Sequence, residues 1–261
     1  MAAMMVLAYG AMVYIVFLAT LLYSVAFVGD LGVARSIDHG TAAPFGQALL
    51  ADLILLSLFA VQHSTMARQA FKRWWTRLIP PAAERSTYVL VSSLLLALLF
   101  WQWRPLPEAV WRVGGWGAIA LQGLFWCGWL LVLISSFAID HFDLFGLRQA
   151  YLNFRGMPCP PPEFRVSGLY RHLRHPLLAG FIVAFWATPE MTLGHLIFAL
   201  ATTGYMAIGI LFEERDLIAL YGEPYAEYRR HVWAVLPLPL GSVDESFSER
   251  LLKGSGSTVG T

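Results

Sequence analysis

Charged residues are scarce. Asp, Glu, Lys and Arg make up 13% of the 261 residues, about half of the roughly 25% found in an ordinary soluble domain. That scarcity excludes intrinsic disorder, which needs low hydropathy and high charge, and it excludes a surface built to face water on all sides. Neither sign is in excess either. The formal net charge is +1, so the chain lacks the broad basic field of nucleic-acid binders, and no nucleic-acid partner is expected. Cysteine is nearly absent. Cys127 in an apolar run and Cys159 among prolines cannot build a disulfide framework or a four-cysteine zinc site, and both are read as structural. Of the histidines at 39, 63, 141, 172, 175, 195 and 231, only His172 and His175 lie close together. A metal centre takes about three or four ligands, so no metal site is expected, and a di-metal or haem oxidase is the weakest function class. Internal repeats and heptads are also missing.

What the chain has instead is apolar length. Hydrophobic residues reach 57% and the mean hydropathy is +0.59. Crossing a bilayer takes about 20 apolar residues as helix. Runs of that kind occupy Met5–Val28, Gln47–Met66, Thr87–Trp103, Gly114–Ala138 and Thr192–Phe212. A shorter run, Leu177–Thr188, precedes the last one and reads as the first arm of a helical hairpin, only about 18 Å long at 1.5 Å per residue. The first run has neither the basic flank nor the cleavage site of a signal peptide, so it counts as a span. The expected fold is therefore all-α, a polytopic membrane helix bundle of five to six transmembrane segments.

Fifteen of the 18 Lys and Arg fall in three segments: 67–86, 139–175 and the tail after Phe212. The opposite side keeps Arg35, Arg104 and Arg112. The positive-inside rule then places both termini and the basic segments in the cytosol of a bacterial inner membrane. Trp74–Trp75 and Trp101/Trp103 sit at span ends, where interfacial anchors contact lipid. Asp52 is expected at headgroup depth. Residues 1–138 form an N-terminal transmembrane region, 139–240 carry the chemistry, and 241–261 are a disordered tail. Pro158–Pro162 should be a stiff extended connector.

Two pieces between Gly168 and Pro237 carry chemistry. GLYRHLRHPLLAG (168–180) puts Tyr170, Arg174 and His175 before a helix whose first position is Pro176. A helix start attracts carboxylate or phosphate, and arginines there add charge-assisted bonds, although the same arginines also suit lipid anchoring. FEERDLIALYGEPYAEYRRHVWAVLP (212–237) places Glu213 and Glu214 at the end of a span. Acids there oppose the helix dipole, which calls for an Arg or a cationic ligand as partner. The hairpin returns both pieces to one membrane face. Tyr221, Tyr225 and Tyr228 follow, suited to stacking on a base or to plain packing.

RHP followed by a hairpin and then EExxL…YGxxYxxY…P resembles the isoprenylcysteine carboxyl methyltransferase superfamily of membrane methyltransferases. That resemblance implies an S-adenosylmethionine site made by Arg174, His175, Pro176, Leu178, Gly180, Glu213, Glu214, Tyr225 and Tyr228, with Tyr170 beside them. Leu178 departs from the pattern, since RHPxY carries Tyr there, and one polar contact must come from elsewhere. QHSTMARQAFKRWW (62–75), ERSTYVLVSSLLLALLFWQWRP (84–105) and IDHFDLFGLRQAYLNFRG (139–156) extend the likeness to the methanethiol S-methyltransferase branch, and QHSTMAR is also similar to NnrU-like membrane proteins.

The thiol branch implies conversion of methanethiol to dimethyl sulfide, with hydrogen sulfide as a second acceptor. DHFDLFGLRQ groups Asp140, His141, Asp143 and Arg148. The thiolate is the nucleophile, so His141 or Asp143 as proton acceptor and Arg148 as stabilising cation are the candidate catalytic residues. A solvated loop with one Asp–Arg pair is the plain alternative. His63 is polar at membrane depth, where a packed, hydrogen-bonded histidine and one facing a cavity both fit. Competing functions are methylation of a prenylcysteine or lipidic acceptor, a non-catalytic NnrU-like protein, and a transporter. The transporter lacks a second interrupted span pair.

Overall fold

A computed structural model describes residues 1–160, 164, 166 and 168–235. The connector at 158–162 lies partly, and Arg165 and the 241–261 tail wholly, outside the described residues.

The chain is helical almost throughout. Five helices are long and apolar enough to cross a membrane: α1 (Ala2–Val28), α2 (Phe45–Ala67), α4 (Pro81–Gln102), α5 (Gly115–Ile139) and α9 (Leu193–Tyr221). Shorter helices are α3 (Gln69–Trp75), α6 (His141–Leu144), α7 (Leu147–Phe154), α8 (Pro176–Trp186) and α10 (Glu223–His231). The protein is thus an integral membrane helix bundle, as its apolar runs require. The hairpin's first arm, α8, has 11 residues, about 16 Å, and reaches only half of a roughly 30 Å hydrocarbon core. Five spans and a half-length arm replace the sixth crossing.

Helices alternate in direction, so two ends can be told apart. At the end away from the basic segments, β1 (Ala109–Arg112) and β2 (Glu190–Thr192) pair antiparallel, and Thr192 donates to Asp38 at 2.5 Å. There the apolar core is continuous: Phe27, Leu99, Phe100, Trp103, Phe125, Trp129, Ala184 and Phe198 pack as one cluster. Asp52 is fully buried at this end, where it accepts from the Arg104 N–H at 2.9 Å.

At the basic end the core divides in two. Val13, Met66, Tyr88 and Val89 form one cluster between α1, α2 and α4. Val166, Tyr225, Tyr228 and Val232 form another under the C-terminal segment. α4 lies between α1 and α2, while α5 packs along α8. The α5–α8 crossing is close because it is built on glycines. A Cβ on Gly128 would stand 2.6 Å from the Ala184 nitrogen, and one on Gly180 would stand 2.7 Å from the Gly128 oxygen. This contact fixes where α8, and the RHP segment before it, stands against the bundle.

Candidate active site

The loop before α8 and the chain after α9 meet at the basic end. The N–H of Arg174 donates to the Trp233 carbonyl at 2.7 Å and that of His175 to the Ala234 carbonyl at 2.9 Å. Leu173 and Trp233 form a parallel bridge. Residues 60 positions apart are thus tied by backbone bonds that no sequence pattern announces.

α9 does not stop at Phe212. It runs about two turns beyond Glu214 to Tyr221, because Glu, Arg, Leu, Ile and Ala all support helix. Glu213 and Glu214 therefore sit inside the helix, and the opposition to a C-terminal dipole expected from sequence does not arise. The partners do exist. Glu214, with 4% of its side chain exposed, accepts from Arg174 through both Nε and Nη2 at 2.7 Å and pairs with Arg229 Nε at 2.9 Å. His175 Nε2 stands 3.4 Å from the same carboxylate. Arg174 also donates through Nη1 to the carbonyls of Arg229 and Val232. All three of its side-chain nitrogens are taken by protein acceptors. Arg174 and Glu214 form a buried knot that locks α8, α9 and α10 together, and charge pairing of this kind is what lets ions be buried at all. Arg229 belongs to this knot and was not singled out from sequence. The one available hint was its place beside Tyr228 in an amphipathic tail helix.

Glu213 is different. Its side chain is 56% exposed, with one oxygen 3.6 Å from His175 Nδ1. Its charge acts on Tyr170 and Tyr225 and also on Tyr88. The tyrosines divide by role. Tyr228 donates to the Tyr170 carbonyl at 2.5 Å and packs against Phe164, Tyr170 and Tyr225. It is a packing residue with a satisfied hydroxyl. The Tyr170 and Tyr225 hydroxyls are buried with no partner among the described residues. Burial pushes all three phenols above their ordinary range, so they remain protonated donors. A buried hydroxyl without a partner costs about 1–3 kcal/mol, and a polar ligand removes that cost. Pro176 is buried at the first position of α8, Leu178 is half-buried two residues on, and Gly180 is in the α5 crossing described above.

The DHFDLFGLRQ segment folds as a separate unit against α1 and α4. His141 is 4% exposed and stacks on Phe137 at 4.3 Å, with Tyr14, Phe142 and Phe145 at its edges. Ser136 Oγ donates to the Leu133 carbonyl at 2.7 Å, so it accepts from His141 Nδ1 at 2.9 Å. That leaves Nε2 to accept from the Tyr14 hydroxyl at 2.7 Å. Both ring nitrogens are engaged, and burial, only partly offset by Asp140, holds the imidazole below its usual range. Asp140 adopts φ of +131°, where side chains are strained. Its carboxylate accepts from the Asp143 N–H at 3.1 Å and from Arg148 Nη1 at 2.7 Å, which fixes the bend. Arg148 also stands 3.6 Å from Asp143. Gly146, at φ +86°, passes so close to α4 that a Cβ would meet the Ser86 nitrogen at 2.6 Å. His141, Asp143 and Arg148 are therefore brought together, but as a folded loop rather than an open constellation, and Tyr170, Arg174, His175, Glu213, Glu214 and Tyr225 gather apart from them.

The NnrU protein family model matches residues 52–236. A methanethiol S-methyltransferase of Mycobacterium tuberculosis is 56% identical over 232 residues, 88% of this chain and 95% of that protein. Methanethiol S-methyltransferase 2 of Bradyrhizobium diazoefficiens is 53% identical over 236 residues, 90% and 91% of the two chains. Nurim of Mus musculus is 31% identical over 175 residues, 64% of this chain and 66% of that protein. No solved structure matches.

Proposed function

The chain belongs to the NnrU protein family, and from that membership we propose that it is a membrane thiol S-methyltransferase that methylates methanethiol to dimethyl sulfide with S-adenosylmethionine as donor. The observation that carries this reading is the half-open Glu213 carboxylate flanked by two buried, partnerless tyrosine hydroxyls, on a base held rigid by the Arg174–Glu214 knot.

The donor set fits such a cofactor. It offers an anion for a cationic or hydroxylated ligand and two hydroxyl donors for its polar atoms. Bound there, the cofactor supplies a methyl group on a positively charged sulfur, needing only in-line approach and exclusion of water. Glu213 accepts from the ligand's amine or ribose hydroxyls. Tyr170 and Tyr225 donate to it, and His175 orients Glu213. Arg174, Glu214 and Arg229 hold these groups in place through charge-assisted bonds within the protein. Pro176, Leu178 and Gly180 set the start of α8 against the site, and Tyr228 walls it off from water. His141, Asp143 and Arg148 shape the loop whose Leu144 carbonyl accepts from Arg85 Nε at 2.8 Å; they scaffold the acceptor side instead of touching the thiol. The excess of Lys and Arg at this end supports a site on the cytosolic face of a bacterial inner membrane, where the cofactor is available.

The test is acceptor choice. Membranes containing the protein receive S-adenosylmethionine with either methanethiol or a farnesylcysteine analogue. Volatile dimethyl sulfide from the first and no methyl ester from the second is the expected result. Ester without sulfide would reassign the acceptor to a lipidic carboxylate.

A further inference from the structure

A polar chain crosses the interior of the bundle at the basic end, and the reading above gives it no role. Gln62, His63 and Ser64 of α2 face Tyr88 and Ser92 of α4 and Tyr205 of α9. The Ser92 hydroxyl donates to Gln62 Oε1 at 3.4 Å, so its oxygen accepts from His63 Nδ1 at 3.2 Å. That assigns the proton of the neutral ring to Nδ1 and leaves the Nε2 lone pair for the Tyr88 hydroxyl, 2.7 Å away. Tyr205 closes the edge of the His63 ring and takes a 3.4 Å bond from Ser64. Among the described residues nothing donates to the Tyr88 oxygen, so its outward lone pairs stay available.

Position matters as much as pairing. Tyr88 is 8% exposed and belongs to one of the two apolar clusters into which the core divides. The charged groups that act on it are Glu84 and Arg85 on its own helix and Glu213 on α9, with Tyr205 of α9 as the neighbouring phenol. Arg85 lies 5.3 Å over the Tyr88 ring, pinned by the Leu144 carbonyl. Tyr14 and His141 make a second pair of the same chemistry, but among the described residues no guanidinium lies over the Tyr14 ring as Arg85 lies over Tyr88. Polar side chains inside a membrane are costly and by default functional, whereas the plain alternative is interhelical glue.

We propose that Tyr88 is the group that touches the acceptor thiol and that His63, acting through it, is the positioning residue that receives the thiol's proton. This rests on the thiol methyltransferase reading above. The thiol S–H donates to the Tyr88 oxygen as the phenol proton passes to His63 Nε2. The electron pair left on sulfur forms the new S–C bond, and the old C–S bond of the methyl donor breaks with its electrons staying on the leaving sulfur. The positive charge of the donor thus ends on the His63 imidazolium, which gives its proton up to solvent between turnovers. The fixed Arg85 guanidinium favours the anionic character that develops at the thiol and phenol oxygen, and the same charge acts against a lasting imidazolium at His63, so the proton moves on to solvent.

The experiment compares wild type with Tyr88→Phe, His63→Gln and Tyr14→Phe, using methanethiol and 2,2,2-trifluoroethanethiol, a small thiol whose electron-withdrawing CF3 group leaves a large fraction as thiolate near neutral pH. A proton acceptor contributes about 10²–10⁴-fold. Tyr88→Phe and His63→Gln are therefore expected to lose about 100-fold with methanethiol, and no more than about threefold with the fluorinated thiol, which needs no acceptor. Tyr14→Phe loses the same factor with both. S-adenosylmethionine affinity, measured by calorimetry in detergent, stays at the wild-type value in Tyr88→Phe and His63→Gln. If wild type rejects the fluorinated thiol, the pH profile with methanethiol decides. It rises about tenfold per pH unit in the variants and levels off earlier in wild type. Equal losses with both thiols, a parallel pH profile, a fall in cofactor affinity, or a thiol-selective loss in Tyr14→Phe instead would each overturn the assignment. A wild type that methylates neither thiol would overturn the thiol methyltransferase reading itself.

Discussion

Replacing Glu214 by Gln removes the one anion that two arginines share. The side chains of Arg174 and Glu214 are 11% and 4% exposed, so this is a buried pair, and leaving one partner behind costs about 3–5 kcal/mol. Arg229 is half exposed, and its share is no more than about 1 kcal/mol after screening. Arg174 keeps the carbonyls of Arg229 and Val232, and the amide retains one acceptor oxygen. Together these bring the expected loss to the lower end, about 3 kcal/mol, or roughly 100-fold in the ratio of docked to undocked C-terminal segment. The reporters are the amides of Arg174 and His175, which bond to Trp233 and Ala234 only when that segment is docked. Hydrogen exchange over 168–176 should speed up about 100-fold, and protease should cut within α10. Cofactor affinity falls with it. Glu214→Leu with Arg174→Met should recover part of the protection, because no nearly fully buried charge is left without its counterion, although half-exposed Arg229 and the carbonyls of Arg229 and Val232 lose a partner. Unchanged exchange in Glu214→Gln would refute the knot as the element that docks the segment.

Other consequences are equally direct. Tyr225→Phe removes a buried hydroxyl that has no partner among the described residues, so the unliganded protein should gain about 1–3 kcal/mol of stability, while S-adenosylmethionine binding weakens about tenfold. Gly180→Ala places a Cβ 2.7 Å from the Gly128 oxygen and should destabilise the bundle by about 1–3 kcal/mol, read as a lower Tm in detergent. His141 is held neutral by burial, with its folded pKa below the unfolded value. Its contribution is therefore complete above about pH 6.5 and is lost as pH falls below that. The Tm of wild type should drop on acidification more steeply than that of His141→Gln.

The spans were legible because nothing but a membrane helix explains twenty apolar residues in a row, and most of their ends were found within a few residues, although α4 starts at Pro81 and not at Thr87. The larger exception was α9. EERD reads as an exit from the membrane, yet the same residues sustain the helix to Tyr221, and charge alone does not say whether a segment is leaving lipid or entering protein. The antiparallel pairing of β1 with β2 joins residues about 80 apart over a few positions, too short to leave a pattern. In the site, the pairing of RHP with the EE motif was legible as a convergence on one face. What each residue does there was not. Arg174 and Glu214 look like ligand contacts in sequence because they are charged, and the structure spends them on each other. His141 looked like a base because it lies among acids, but its environment is set by Tyr14, 127 positions away. Tyr88 and Ser92, four apart on a span and therefore on one face, together with Gln62 and His63 on another, were a readable sign of an intramembrane polar chain.

The central claim is that this protein moves a methyl group from S-adenosylmethionine to methanethiol. Purified protein in detergent, given methanethiol and S-adenosylmethionine carrying a trideuterated methyl group, should release dimethyl sulfide with one labelled methyl, seen by headspace mass spectrometry as a shift of about three mass units, should release none when either substrate is left out, and should release about 100-fold less when Tyr88 is Phe at neutral pH. Unlabelled dimethyl sulfide, or no product from protein that demonstrably binds the cofactor, would contradict the account.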